Sequence, residues 1–367
     1  MTTMLAARAH PGEQFFRLEQ VDIPAPAAHE VVVRVRAASV TRGLLALWYF
    51  TPYIELPSTL GHEAAGEVAA VGPGVTGLRE GQRVLVHSAL TCGICRACLA
   101  GDDTLCENLS VMGYGLYGEG GRDRYRRYKD GGLAEYMLVP ALNVSLLPDS
   151  VSFDVAAKIG TIAGSLGALR ATCPQAGDSL AVVAATGAAG TAAVLCAPLL
   201  GLDPVIAVSR TPDSLRRTAQ VTGDHLVSVA TSELDADWTE RGKLTQRLQQ
   251  LSGDGGLDAV VDFMPLGLDE TVQAIEALRP GGRAVLVGGN QVRLPLAYGQ
   301  LMRNQWSVRG FRGTPRAAER EVLQHIAAGT IDPTPLITHR YPLRDVNDAV
   351  RRVHNREDSP LFVVINP

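Results

Sequence analysis

The stretch Ser179–Val194, SLAVVAATGAAGTAAV, decides the fold. An apolar run of strand length leads straight into Gly187 and Gly190, and small residues then continue as a buried helix would. A strand turning through glycine into a helix is where a pyrophosphate rests on helix amides, because small side chains let the backbone come close. Ala185 stands where the first glycine of G-x-G-x-x-G is usual, so the turn alone also suits an ordinary α/β domain. From Ser179 to Leu202 there is no charged residue, yet Gly187, Gly190 and Pro198 break the run. Strand, turn and buried helix explain it better than a membrane span.

Downstream, the apolar runs VIAV, LVSV, DAVVDF and AVLV alternate with helical patterns such as TPDSLRRTAQVTG. That rhythm implies a parallel sheet covered on both faces. VIAV ends about 20 residues beyond the glycine turn, where an acidic residue normally binds the adenosine ribose of NAD. Ser209 and Arg210 occupy that position. A serine does not repel a 2′-phosphate and an arginine offers it a charged fork, so NADPH is the expected cofactor. Ala188 and Ala189 in the turn, and Val287 and Gly288 in LRPGGRAVLVGG, complete the candidate contacts there.

Upstream, the chain reads as β-rich. In EVVVRVRAA, Val31, Val33 and Val35 alternate with Arg34 and Arg36, the period of a strand with one wet face. AGEVAAVG, GQRVLVHS and LAEYMLVP are further strands. After about Phe311 come two amphipathic helices and a last apolar strand, LFVVI, which is expected to rejoin the first domain. A length of 367 residues exceeds one ordinary core. The expected division is 1–147 with 311–367, carrying a lobe at about 90–108, and a nucleotide domain at 148–310.

Cys92, Cys95, Cys98 and Cys106 crowd into that lobe. Four thiolates at this spacing suit a closed, tetrahedral, structural Zn²⁺, with an iron–sulfur cluster as the competitor. Such clustering in a long chain argues against an extracellular disulfide framework. The net charge of -4 gives no reason to expect nucleic acid or an anionic membrane as partner. MTTMLAARAHPGEQ lacks the apolar core of an export signal, so a cytoplasmic location is expected.

Taken with LGHEAAGEVAAVGPGV and DGGLAEYMLVP, these blocks carry a resemblance. Along nearly its whole length the chain resembles the zinc-containing medium-chain dehydrogenase/reductases, the alcohol dehydrogenase superfamily. The resemblance implies a GroES-like β-rich catalytic domain plus a Rossmann doubly wound parallel sheet, an α/β fold, with the active site in the cleft between them. It also implies a homodimer or homotetramer formed through the Rossmann sheet edge, and a second, catalytic zinc.

At that second site the sequence departs from the family. His62 and Glu63 of G-H-E are kept, but the cysteine ligand falls on Thr41 and the third ligand on Thr161. The usual aspartate becomes Leu44, and the Ser/Thr that passes the alcohol proton becomes Gly43; Arg42 is retained, where relatives keep a basic residue near the pyrophosphate. Neutral hydroxyls are poor replacements for thiolate or carboxylate, so the catalytic zinc is expected to be lost. Hydride transfer then requires an acceptor that is already electron-poor, such as a C=C conjugated to a carbonyl, or an iminium. Thr41 and Thr161 are expected to donate to the substrate oxygen, and His62 or Tyr53 to supply a proton. Trp48, Tyr49, Phe50 and Tyr53 suit an apolar pocket wall or ordinary core. Two other readings stay open: an alcohol dehydrogenase with unusual zinc ligation, and a non-catalytic NADPH-binding protein. Cys173 is read as structural. The basic segment 118–130, with Arg122, Arg124, Arg126, Arg127 and Lys129, reads as a solvated loop or as a lure for an anionic substrate.

Overall fold

The computed structural model describes residues 2–367 apart from Pro52, Asp224 and Asp254. The chain forms two compact units, 1–160 with 315–367, and 161–314.

The first unit is organised by the strand Glu30–Ser39. Ala64–Val71 and Tyr136–Pro140 pair with it antiparallel, and Arg83–Val86 and Val144–Leu146 extend the sheet beyond Ala64–Val71. Val31, Val33 and Val35 are buried as the alternation requires, but Val32 is buried too, so the wet face shrinks to Arg34 and Arg36. The tail returns here. Phe362–Asn366 pairs antiparallel with Glu30–Ser39 through Val364↔Ser39 and Ile365↔Ala38, and Ile337–Pro342 lies parallel to it. Val346–Asn355 buries Val346, Ala349, Val350 and Val353, one stripe at helical spacing, in the same core as Val31, Val33 and Val35.

The second unit is a six-stranded parallel sheet. Its order is Leu226–Ala230, Val205–Ser209, Leu180–Val183, Leu257–Asp262, Leu278–Leu286, Ser307–Gly310. The order reverses at Leu180–Val183, the strand that feeds the glycine turn, and this is the topological switch point of a doubly wound sheet. Leu180–Val183 and the helix Ala188–Cys196 divide the uncharged segment between them. Among the described residues no helix is long and apolar enough to cross a membrane.

The turn is tight. A Cβ on Gly190 would lie 2.3 Å from the Ala184 carbonyl oxygen, and Ala184 itself holds φ +58°. Gly190→Ala should therefore force strand and helix apart at a cost of about 1–3 kcal/mol. Calorimetry should show a lowered Tm; an unchanged Tm would contradict this packing.

Candidate functional site

In the first unit, the helix Arg42–Phe50 begins on Thr41, whose Oγ1 accepts the Leu44 amide at 3.1 Å. Capping by a threonine hydroxyl starts the helix and fixes the side chain toward its N-terminus. Arg42 is exposed in the first turn. The aromatic run does not form one wall. Helical spacing sends Trp48 into the core, stacked on Phe16 at 4.7 Å, and leaves Phe50 in solvent. Tyr49 donates to the Gln14 carbonyl at 2.8 Å.

His62 follows Gly61 in the short loop between the strands Ser58–Thr59 and Ala64–Val71. Its Nδ1 is buried and, among the described residues, has no hydrogen-bond partner. The ring packs on Tyr114, centroids 4.4 Å apart. Tyr114 stacks on Tyr117 at 6.4 Å and Tyr117 on Tyr53 at 5.9 Å, so Tyr53 is two rings removed from His62. The Tyr114 hydroxyl and Thr41 Oγ1 flank Gly43, at 3.6 and 4.0 Å from where its Cβ would be. Tyr114 carries no local signal in the sequence; only the fold sets it against His62.

Glu63 is buried, and its Oε2 accepts from Lys158 Nζ at 2.5 Å and from Ser39 Oγ at 2.5 Å. Lys158 is 1% exposed, with Nζ 4.8 Å from the Phe362 ring centroid. This lysine, inside the otherwise apolar run VAAKIG, was the signal the sequence reading missed. Burial alone would raise the Glu63 carboxyl, but Lys158, with His62 and Ser39, brings it down to about 2. Burial lowers the His62 imidazole to about 4, with Glu63 opposing and Lys158 reinforcing the shift, so it is neutral at physiological pH.

The segment 118–130 is ordered. It contains the helix Arg122–Arg127, and its cations are spoken for: Arg122 and Arg126 pair with Glu55, and Arg127 with Glu30 at 2.7 Å. Lys129 donates to the Pro57 carbonyl at 2.6 Å. This replaces the expected solvated loop and removes much of the charge that was to attract an anion.

The four cysteine sulfurs all lie within 4.8 Å of one another, with Cys92 and Cys98 3.9 Å apart. Tetrahedral zinc with bonds of about 2.3 Å sets its sulfurs about 3.8 Å apart, so the set fits a structural zinc. Amides of Ile94 and Cys95 help bring the Cys92 thiol down to about 6, while burial pushes Cys98 up to about 12. Among the described residues this is the only group of three or more metal-ligating side chains. Cys173 lies outside it, exposed, at φ +52°.

In the second unit, Gly187 is the N-cap of Ala188–Cys196 and no side chain caps the helix. A Cβ there would find only the Ala184 carbonyl, at 3.6 Å, so the helix N-terminus is open to a phosphate as the dinucleotide reading requires. Ala188 and Ala189 form its first turn. Ser209 ends its strand and hydrogen-bonds Thr186 at 2.8 Å. Arg210 is exposed, with no ion-pair partner among the described residues. The Val287 amide donates to the Asp262 carbonyl at 2.8 Å, and a Cβ on Gly288 would lie 2.1 Å from the Met264 oxygen. The glycine at 288 is thus demanded by backbone packing whatever binds nearby. Thr161 stands in the helix Ile159–Arg170, where its carbonyl accepts from Ser165 Oγ at 3.0 Å.

Comparison with known proteins follows both units. Residues 27–149 match the family described as alcohol dehydrogenase GroES-like domain, and residues 188–328 match zinc-binding dehydrogenase. An alcohol dehydrogenase of a Moraxella species is 31% identical over 360 residues, 95% of this chain and 96% of that one. The sorbitol dehydrogenase of Bacillus subtilis is 27% identical over 372 residues, 99% and 97% of the two chains. A cobalt- and zinc-bound thermostable alcohol dehydrogenase from Pyrobaculum aerophilum is a structural match with a TM-score of 0.81, 29% identity and 100% coverage of both chains.

The ion pair makes a stability prediction. Lys158→Met strips the buried Glu63 charge of its ammonium and should cost about 3–5 kcal/mol at neutral pH. The double variant Glu63→Gln/Lys158→Met should recover much of that in denaturant unfolding. Both depressed groups make the wild-type protein lose stability on acidification: His62 as pH falls below 6.5 toward about 4, and Glu63 below 4.5 toward about 2. A flat profile through those windows would contradict the geometry.

Proposed function

We propose, from the premise that the chain belongs to the alcohol dehydrogenase family of zinc-binding dehydrogenases, that it is an NADPH-dependent reductase. It would work without a second zinc, on a C=C conjugated to a carbonyl or on an iminium. The family membership makes it a nicotinamide-dependent oxidoreductase of small molecules with a structural four-cysteine zinc site. The reading without a second zinc rests on one observation, the buried Glu63–Lys158 ion pair.

A catalytic zinc would find one donor here, the His62 imidazole. Glu63 is held by Lys158 and Ser39, and recruiting it would strand a buried ammonium at a cost of about 3–5 kcal/mol. Thr41 offers a neutral hydroxyl already engaged in capping. The residues of this unit therefore do not fit a second zinc, and no step is routed through one. Bound NADPH supplies a hydride. The chain's own contribution is to hold the acceptor against Thr41 and His62, and to place hydroxyl donors where the oxygen gains charge.

The cofactor choice rests on Ser209 and Arg210, a neutral residue followed by a free, exposed guanidinium. Arg210→Glu should lower kcat/KM for NADPH by roughly 10- to 100-fold and leave NADH the better donor.

The names of the relatives favour a second reading, oxidation of an alcohol or polyol at zinc. On relationship alone it would come first; the ion pair puts it second. The two are separated by assaying NADPH oxidation with cyclohexenone, and NADP⁺ reduction with simple alcohols and sorbitol, each with and without brief exposure to a strong chelator. The proposal expects enone reduction that survives chelation. Alcohol oxidation abolished by the chelator would establish the second reading instead. Tight NADPH binding with no turnover of any acceptor would leave a binding protein.

A further inference from the structure

We propose that Tyr114 is the proton donor of this site, its hydroxyl hydrogen-bonding the substrate's carbonyl oxygen and protonating the enolate that hydride addition produces. The inference rests on the reductase reading above and names the group that reading leaves open. Its basis is placement. The Tyr114 ring lies against His62, and its oxygen lies 3.6 Å from the position a Gly43 side chain would start from, beside Thr41 Oγ1. The missing side chain at Gly43 leaves this space to the phenol.

The Tyr114 hydroxyl has a hydroxyl neighbour in Tyr117, whose ring stacks on it with centroids 6.4 Å apart. Tyr117 is 37% exposed and open to solvent. Burial raises the Tyr114 phenol above the ordinary tyrosine range, against the Tyr117 hydrogen bond and with help from the Glu63 charge, and so keeps it a donor. His62 is the weaker candidate, because its ring is held neutral. Tyr53, half exposed and two rings away, is not placed to donate.

The step balances. Hydride from NADPH forms the C–H bond at the β-carbon and NADP⁺ results. The C=C electron pair moves to give an enolate. The Tyr114 O–H bond breaks and its proton goes to the enolate oxygen, and the enol tautomerises to the saturated carbonyl. The phenolate regains a proton from Tyr117, which is refilled from water.

The test uses the full-length protein with cyclohexenone as acceptor and cyclohexanone as an inert ketone. Tyr114→Phe should lower kcat roughly 100-fold or more, with the NADPH Kd unchanged. Gly43→Ser placed on Tyr114→Phe returns a hydroxyl to the same space without a positive-φ penalty, and should restore at least roughly tenfold of that loss. Independently of turnover, tyrosine-labelled NMR should show one resonance, absent in Tyr114→Phe, that titrates above the ordinary tyrosine range and shifts when cyclohexanone is added. Tyr114→Phe turning over like the wild type, or a Tyr114 resonance indifferent to the ketone, would overturn the assignment. A wild-type protein inert toward the enone would sink the reductase reading, and the ketone-induced shift would still decide Tyr114.

Discussion

The buried pair of Glu63 and Lys158 is the interaction on which the site depends. Glu63 sits in the loop that carries His62, and Lys158 comes from 95 residues later in the chain. Ser39, the second donor to the same carboxylate, ends the central strand Glu30–Ser39. Phe362, under the ammonium, begins the strand that returns the chain terminus to that sheet. One ion pair thus ties together the loop of His62, the central strand and the tail. Because both charges are out of water, neither is available for other work without a large penalty. A buried lysine gives this place a fixed, protein-borne positive charge, which adds to the effect of burial in depressing the basicity of the neighbouring imidazole.

The zinc lobe is anchored separately, also by the returning tail. The helix Arg316–Ala327 donates its Arg316 amide to Asp103 at 3.0 Å, inside the cysteine loop, and Glu319 from the same helix binds the buried His87. A lobe without a core of its own is held by its metal on one side and by this polar seam on the other. The cysteine site and the His62 site therefore have different supports.

Much of this was legible in the sequence because it is written in local pattern. The glycine turn, the alternation of strands and helices, the cysteine spacing and the return of LFVVI are short-range signals, and the sheet order and sulfur cluster agree with them. What was illegible depends on partners far away in the chain. Arg122, Arg126 and Arg127 read as solvated because Glu55 and Glu30, which neutralise them, lie 67 to 97 residues upstream. Trp48, Tyr49 and Phe50 suited a pocket wall and a core equally because adjacency in sequence hides the angular spread of a helix. Lys158 and Tyr114 gained meaning only when the fold set them beside Glu63 and His62. Thr41 stood out in the sequence only against the family's ligand pattern, and its capping of Arg42–Phe50 was not legible there.

On the proposed reading, the Lys158 ammonium holds Glu63 and the His62 site takes no second metal. Elemental zinc per chain, measured on protein purified without added metal, tests it most directly. One zinc per chain is expected, lost when Cys98 is replaced by serine and retained in His62→Ala. Two zincs per chain, with one lost in His62→Ala, would contradict it.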